Sequence, residues 1–373
     1  MITRPFGKTG LQLTPLTVGG MRFLHGWDAP HDELPEDSLE NVATILQSAL
    51  AAGINHIETA RAYGKSERLI GQVIHQLPFP RTSWHIMSKT APTADGRALW
   101  QTMQESMQRL AVDYLDLFAL HGINSLDQLQ MALEKCLPVL NKARKEGWLE
   151  AVGFSTHGTV DVILAAIESG AFDFVNLHYN YFNPRNAPAV QRAAQRGMGV
   201  MIISPNEKAG YLYTPTPELT ALTAPLHPAV FNERWLLQQT AIGTLSIGMS
   251  EAGHLPLHLQ AVAQGWGEEE ARVLHRLQQE ARRDPRLACS QCQACLPCPK
   301  LINIPEVMRL SHGSQFLGIH DFARSRYGQF RPHDPWVQGA KGDECNQCGD
   351  CLPRCPHKLD IPQLLKEAHA RLG

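Results

Sequence analysis

The sequence has almost no excess of charge of either sign: 34 Lys and Arg stand against 36 Asp and Glu over 373 residues, a formal net charge of −2. No general cationic field draws nucleic acid or an anionic lipid surface to such a chain. Long apolar runs are also missing. Stretches such as Gly199 to Ile203 fall far short of the roughly 18 residues that cross a bilayer, and Met1-Ile2-Thr3-Arg4 leads into no signal-peptide core. The expectation is a soluble, cytoplasmic protein with no nucleic-acid and no membrane partner. Cysteine is nearly absent from the first 288 residues, where only Cys136 occurs, at an apolar helical position that reads as core packing. A glycine fingerprint for a doubly wound nucleotide-binding sheet is incomplete. Gly197-Met198-Gly199 is followed by Ile202 where a third glycine is needed, and Gly64-Lys65-Ser66 has Thr59 where a phosphate loop needs glycine.

What is present is a 43% apolar chain, long enough for two or three domains at about 150 residues each. From residue 17 to about 262, short β-branched or aliphatic runs alternate with amphipathic stretches of helical period. Eight strands are predicted: Leu16 to Gly19, Ile54 to Glu58, Trp84 to Ser88, Leu115 to Leu120, Ala151 to Phe154, Phe174 to Leu177, Val200 to Ile203 and Leu245 to Ile247. Helical stretches such as Ser38 to Ala51, Leu99 to Leu110, Leu126 to Lys145 and Val160 to Ser169 separate them. Eight such units in about 250 residues have the dimension of an α/β fold of the (β/α)8 TIM-barrel type. Ahead of them, Arg4 to Thr14, with Gly7-Lys8-Thr9-Gly10, reads as a hairpin closing the barrel bottom. The barrel is placed at 1–267, a charged helical connector at 268–288 and a small α-helical domain at 289–373.

That last segment holds eight of the nine cysteines in an internal repeat. Cys289, Cys292, Cys295 and Cys298-Pro299 precede Ile304-Pro305 and an apolar helix; Cys345, Cys348, Cys351 and Cys355-Pro356 precede Ile361-Pro362 and another. Three thiolates at three-residue spacing wrap one face of a cubane, and a fourth before proline leaves in another direction. The second block matches the bacterial ferredoxin run, and the first is one residue shorter before Cys298. Two [4Fe-4S] clusters fit the count. Paired C-x2-C elements also build zinc sites, which is the alternative, while disulfides do not suit a reducing compartment.

In a barrel the chemistry belongs at the C-terminal strand ends. Strand two runs into Glu58-Thr59-Ala60-Arg61-Ala62-Tyr63-Gly64, strand three into Ser88-Lys89-Thr90 and strand four into Leu120-His121-Gly122. Over residues 1 to 262 the chain resembles the aldo-keto reductases, and with its cysteine tail it resembles their iron–sulfur-containing branch with a ferredoxin-like domain. The resemblance implies a catalytic tetrad of Tyr63, Lys89, His121 and Glu58, with Glu58 at a position where the family has Asp. It also implies that the fourth cysteine of each block serves the other cluster. Cys289, Cys292, Cys295 and Cys355 would hold one, and Cys345, Cys348, Cys351 and Cys298 the second.

The implied chemistry can be argued from the side chains. Hydride addition to a carbonyl leaves an alkoxide that needs a proton, and an ammonium beside a tyrosine should lower its pKa from about 10. Lys89 is the ammonium, Glu58 its counter-charge, and His121 a hydrogen-bond donor to the carbonyl oxygen. For NADP or NAD the resemblance implies contacts from Gly20, Met21, Arg22, Ser155, Asn176, Ser204, Gly248 and Ser250. Three departures stand out: Thr156 occupies an expected Asn, Ile202 and Ile203 offer no ring to stack on the nicotinamide, and residues 251–254 contain no Arg or Lys for a 2′-phosphate. The reading is an NAD(P)H-dependent carbonyl reductase, or its reverse, acting on a small carbonyl or alcohol and carrying two [4Fe-4S] clusters, with an outside redox partner as a further option. The alternative is an electron-transfer or regulatory nucleotide-binding protein with a degenerate barrel.

Overall fold

The computed structural model describes all residues except 25–29, 31, 284–288 and 335–336. The end of the predicted connector, at 284–288, therefore lies outside the described residues. By compactness the chain divides into two units. One holds Met1–Tyr179, Asn186–Pro205 and Leu236–Gln264; the other holds Asn180–Arg185, Asn206–Trp235 and Gly265–Gly373.

The first unit is a closed barrel of eight parallel strands: β3 (Leu16–Gly19), β4 (His56–Glu58), β5 (His85–Thr90), β6 (Leu115–His121), β7 (Leu149–Ser155), β8 (Phe174–His178), β9 (Gly199–Ile203) and β10 (Thr244–Gly248). β10 pairs with β3 to close the ring. Each predicted strand is present, with ends shifted by no more than two residues. The antiparallel hairpin of β1 (Arg4–Pro5) and β2 (Gln12–Leu13) precedes them. Its Phe6 is buried with Leu11 and Leu13 against Met87, Leu117, Ala151, Phe174 and Met201, plugging the barrel interior. Gly7 has φ +59, and a Cβ there would stand 2.2 Å from the Gly199 nitrogen, so the hairpin seats only because that side chain is absent.

The predicted helix from Leu126 to Lys145 is interrupted. Ala132–Cys136 forms a π-helical turn between α-helical Leu126–Met131 and Leu137–Lys145. Pro138 has no N–H to give to the turn before it, so the ladder widens there. Cys136 is fully buried, its thiol directed at the Thr93 carbonyl at 3.2 Å.

In the second unit the cysteine blocks alternate with helices Ile304–Phe316, His320–Gly328 and Ile361–Leu372. The repeat is visible in the backbone. Gln291 and Gln347 have φ of 56 and 59, Gln293 and Gly349 of 63 and 82, and Leu301 and Lys358 of 56 and 51. Asn303 and Asp360 cap equivalent helices, each side chain accepting from the backbone N–H three residues on. Between them lies a small core of Ile304, Val307, Leu310, Tyr327, Ile361 and Leu365, with six of the eight cysteines in or against it. Among the described residues no helix is long and apolar enough to cross a membrane.

Candidate active site

The strand ends bring the four predicted side chains together. Lys89, on β5, is 1% exposed and its ammonium is ion-paired with Glu58 at the end of β4. The same Nζ donates to the Thr59 carbonyl at 2.8 Å and lies 4.6 Å from the Tyr63 ring centre. Tyr63 meets the His121 imidazole edge-on, with ring centres 5.7 Å apart.

One member of the constellation escaped the sequence reading. Ser246, on β10, donates from Oγ to the second Glu58 oxygen at 2.8 Å. A Cβ at Gly19 would fall 2.6 Å from that hydroxyl and 3.4 Å from the carboxylate. Glycine therefore makes room for the Ser246 hydroxyl that holds the Glu58 carboxylate. The only signal for Ser246 in the sequence was a hydroxyl between the apolar Leu245 and Ile247.

Burial sets the electrostatics. It pushes the Tyr63 phenol up to about 12, against the pull of Lys89 and with the push of Glu58. The expected lowering is thus corrected: Lys89 acts in the expected direction, but loss of water around the phenol is the larger effect. Burial also works against the Lys89 charge, yet Glu58 and Tyr63 outweigh it and hold the ammonium above the usual lysine range. His121 is drawn down to about 3 by burial and by Lys89, so its ring is neutral at pH 7.

The predicted nucleotide contacts fall into smaller groups. His121, Ser155 and Asn176 stand in register across β6, β7 and β8. Ser155 Oγ and Asn176 Oδ1 are buried without a hydrogen-bond partner, which fits an external amide. Thr156, in contrast, is committed within its turn: its hydroxyl donates to the Ile123 carbonyl at 2.7 Å and accepts from the Gly158 N–H at 2.9 Å. Gly20, Met21 and Arg22 form a 3-10 turn after β3, and the Arg22 side chain lies over Gly248, 2.8 Å from where a Cβ would be. A cation thus stands beside the β10 loop although residues 251–254 supply none. Ser250 receives the Asn41 side-chain amide on its carbonyl at 2.8 Å. Ser204 follows β9 with φ 48.

The cysteines sort into two sets. One small cavity is lined by Cys289, Cys292, Cys295 and Cys355, the other by Cys298, Cys345, Cys348 and Cys351. The last cysteine of each block therefore lies at the other block's cavity. None of the nine cysteines is in a disulfide. Among the described residues no three His, Cys, Asp or Glu side chains close on a single metal-ion position. Burial pushes the Cys289 thiol up and the Cys295 thiol to about 12.

Comparison with known proteins fits this geometry. The aldo/keto reductase family profile matches residues 15–276, and the chain belongs to that family. It is 27% identical over 221 residues to L-galactose dehydrogenase of Arabidopsis thaliana, covering 53% of this chain and 66% of that protein. It is 25% identical over 224 residues to the NADH-specific methylglyoxal reductase of Escherichia coli, covering 55% and 67%. The matched stretches span about two-thirds of these relatives. An aldo-keto reductase of Bacillus halodurans in its holo form superposes with a TM-score of 0.63 at 20% identity, covering 74% of this chain and 96% of that one, a likeness of fold. Family and relatives support an NAD(P)-dependent oxidoreductase; the profile ends before Cys289.

Proposed function

We propose that the barrel reduces an aldehyde or ketone with a nicotinamide nucleotide, NADP or NAD, or runs the reverse oxidation. The observation that carries this reading is the buried Lys89–Glu58 pair beside Tyr63 and His121. The orphaned Ser155 hydroxyl and Asn176 carbonyl are fitted to hold the nicotinamide amide, with Gly20, Met21, Arg22, Gly248, Ser250 and Ser204 around the rest of the nucleotide. When bound, the nucleotide supplies hydride to the carbonyl carbon. Neutral His121 donates a hydrogen bond to the carbonyl oxygen. As that oxygen gains the C=O electron pair, Tyr63 gives it the phenolic proton. The tyrosinate left behind is stabilised by Lys89, itself held charged by Glu58, and is reprotonated from solvent. A phenol pushed up to about 12 keeps its proton in reserve across neutral pH.

Residues 289–373 form, in this reading, a ferredoxin-like domain with two [4Fe-4S] clusters, one on Cys289, Cys292, Cys295 and Cys355, the other on Cys298, Cys345, Cys348 and Cys351. The division of the cysteines between two cavities supports it, and metal binding would relieve thiols that burial keeps protonated.

The test of the barrel reading is Tyr63→Phe assayed with a panel of carbonyls. Turnover should fall about 10²- to 10⁴-fold while nucleotide affinity is kept. Unchanged turnover would remove Tyr63 from the role.

A further inference from the structure

A further cavity, of about 380 Å³, lies wholly within the second unit, and none of Tyr63, Lys89, Glu58 or His121 lines it. Its walls include Tyr181, Phe182, Trp235, Phe316, Leu222 and Leu277. Tyr181 meets Phe182, Phe231 and Trp235 edge-on, with ring centres 5.2, 5.4 and 5.5 Å away, so its own ring is fixed in position. Its backbone N–H is taken by Asn232 at 3.0 Å, but its hydroxyl has no hydrogen-bond partner among the described residues. A cavity of this volume with largely aromatic and aliphatic walls and a few polar groups, the Tyr181 hydroxyl among them, is the usual form of a small-molecule site.

The charges define the ligand further. Arg309 lines the cavity and is 8% exposed, but its guanidinium is already paired with Glu306 at 2.7 Å and with Glu207 at 3.4 Å. Glu280 adds a carboxylate to the lining, His312 an imidazole and Gln291 a neutral amide. A guanidinium already paired on both sides and a carboxylate in the wall favour a neutral ring over a phosphate or carboxylate. Cys289 lines both this cavity and the one shared by Cys292, Cys295 and Cys355. An occupant therefore stands next to a ligand of the proposed cluster, where a ring able to exchange electrons has a use that an inert one lacks.

We propose that this cavity binds a quinone, a neutral planar ring packed against Tyr181, Phe182 and Trp235 with a carbonyl oxygen accepting the Tyr181 hydroxyl. The choice of a redox-active ring rests on the cluster reading; the binding does not. It is therefore tested without nucleotide and without turnover. The full chain, prepared anaerobically, is titrated calorimetrically with tetramethyl-1,4-benzoquinone, whose fully substituted ring resists thiol addition. The wild type should bind saturably with a Kd of about 10–100 μM. Tyr181→Phe should weaken binding about 3- to 10-fold. Leu222→Trp, which fills the cavity, should weaken it more than about 10-fold and leave carbonyl turnover in the barrel unchanged. Phe316→Trp fills the same space from another wall and replaces Leu222→Trp if that variant does not fold. Absence of saturable binding by the wild type, or wild-type affinity in both filled variants, overturns the proposal. Failure of the barrel reading would instead show only in the Tyr63→Phe assay.

Discussion

The barrel mouth and the cysteine region both bury groups that water would otherwise serve, but they complete themselves differently. Lys89, Glu58, Thr59 and Ser246 satisfy one another, so the charge at the barrel site is compensated by the protein alone. The cysteine region surrounds its two cavities with thiols, of which burial pushes Cys289, Cys295 and Cys351 up, over a small apolar core. One site is ready before any ligand arrives. On the proposed cluster reading, the other would gain its rigidity from what it holds.

The most severe test of that contrast is removal of a cysteine. Anaerobic protein should carry about eight irons and eight acid-labile sulfides per chain, and Cys348→Ala should lower both by about half or more while nucleotide binding by the barrel persists. Stoichiometric zinc without sulfide would end the contrast in its present form. A smaller loss is expected when the barrel's own compensation is broken. Lys89→Met strands the Glu58 carboxylate and should cost about 3–5 kcal/mol in urea unfolding at pH 7, whereas the double change Lys89→Met with Glu58→Gln should recover part of it. Equal costs for the single and double variants would mean that the pair is not coupled.

Acid sharpens the comparison more gently. His56 on β4 is fully buried, receives or gives a hydrogen bond at Thr17, and is held down to about 3 by burial and by the neighbouring His85. Its neutral ring favours the fold above pH 6.5. As pH falls below that value the unfolded chain takes a proton that the folded one refuses, and the stability is lost progressively until about pH 3. At pH 5 this amounts to about 2 kcal/mol, and His56→Asn should flatten the dependence of barrel stability on pH between 7 and 5. An unaltered slope would assign the acid sensitivity elsewhere. The smallest effect belongs to Arg22, the cation over Gly248. Arg22→Gln should raise the nucleotide Kd about 5- to 20-fold with kcat nearly unchanged, and an unchanged Kd would detach Arg22 from the nucleotide.

The barrel was legible because each strand is a short apolar run bounded by helical periodicity, and the tetrad because Glu58, Lys89 and His121 sit at or next to the ends of such runs. Ser246 was not, since a serine within a strand carries no mark of the carboxylate it will meet across the barrel. The pKa of Tyr63 was read in the wrong direction because spacing reveals a neighbouring lysine but not how completely water is excluded. The aromatic cavity was hidden for a related reason. Tyr181 and Phe182 follow β8, Trp235 ends a segment beginning after β9, and Leu277 and Phe316 lie far downstream. No local period links them.

The exchange of the last cysteine between blocks has a consequence for ancestry and assembly. A single block carries three members of a set and lacks the fourth, so it cannot close a cavity from its own sequence. A second copy related by a two-fold axis supplies what is missing and receives the same in return, the reciprocity of an isologous dimer. The tandem repeat makes the same exchange within one chain, each block giving its last cysteine to the other's cavity. An inserted or deleted residue in one block disturbs both cavities, and the one-residue difference before Cys298 is an asymmetry the pair has absorbed without giving up the exchange.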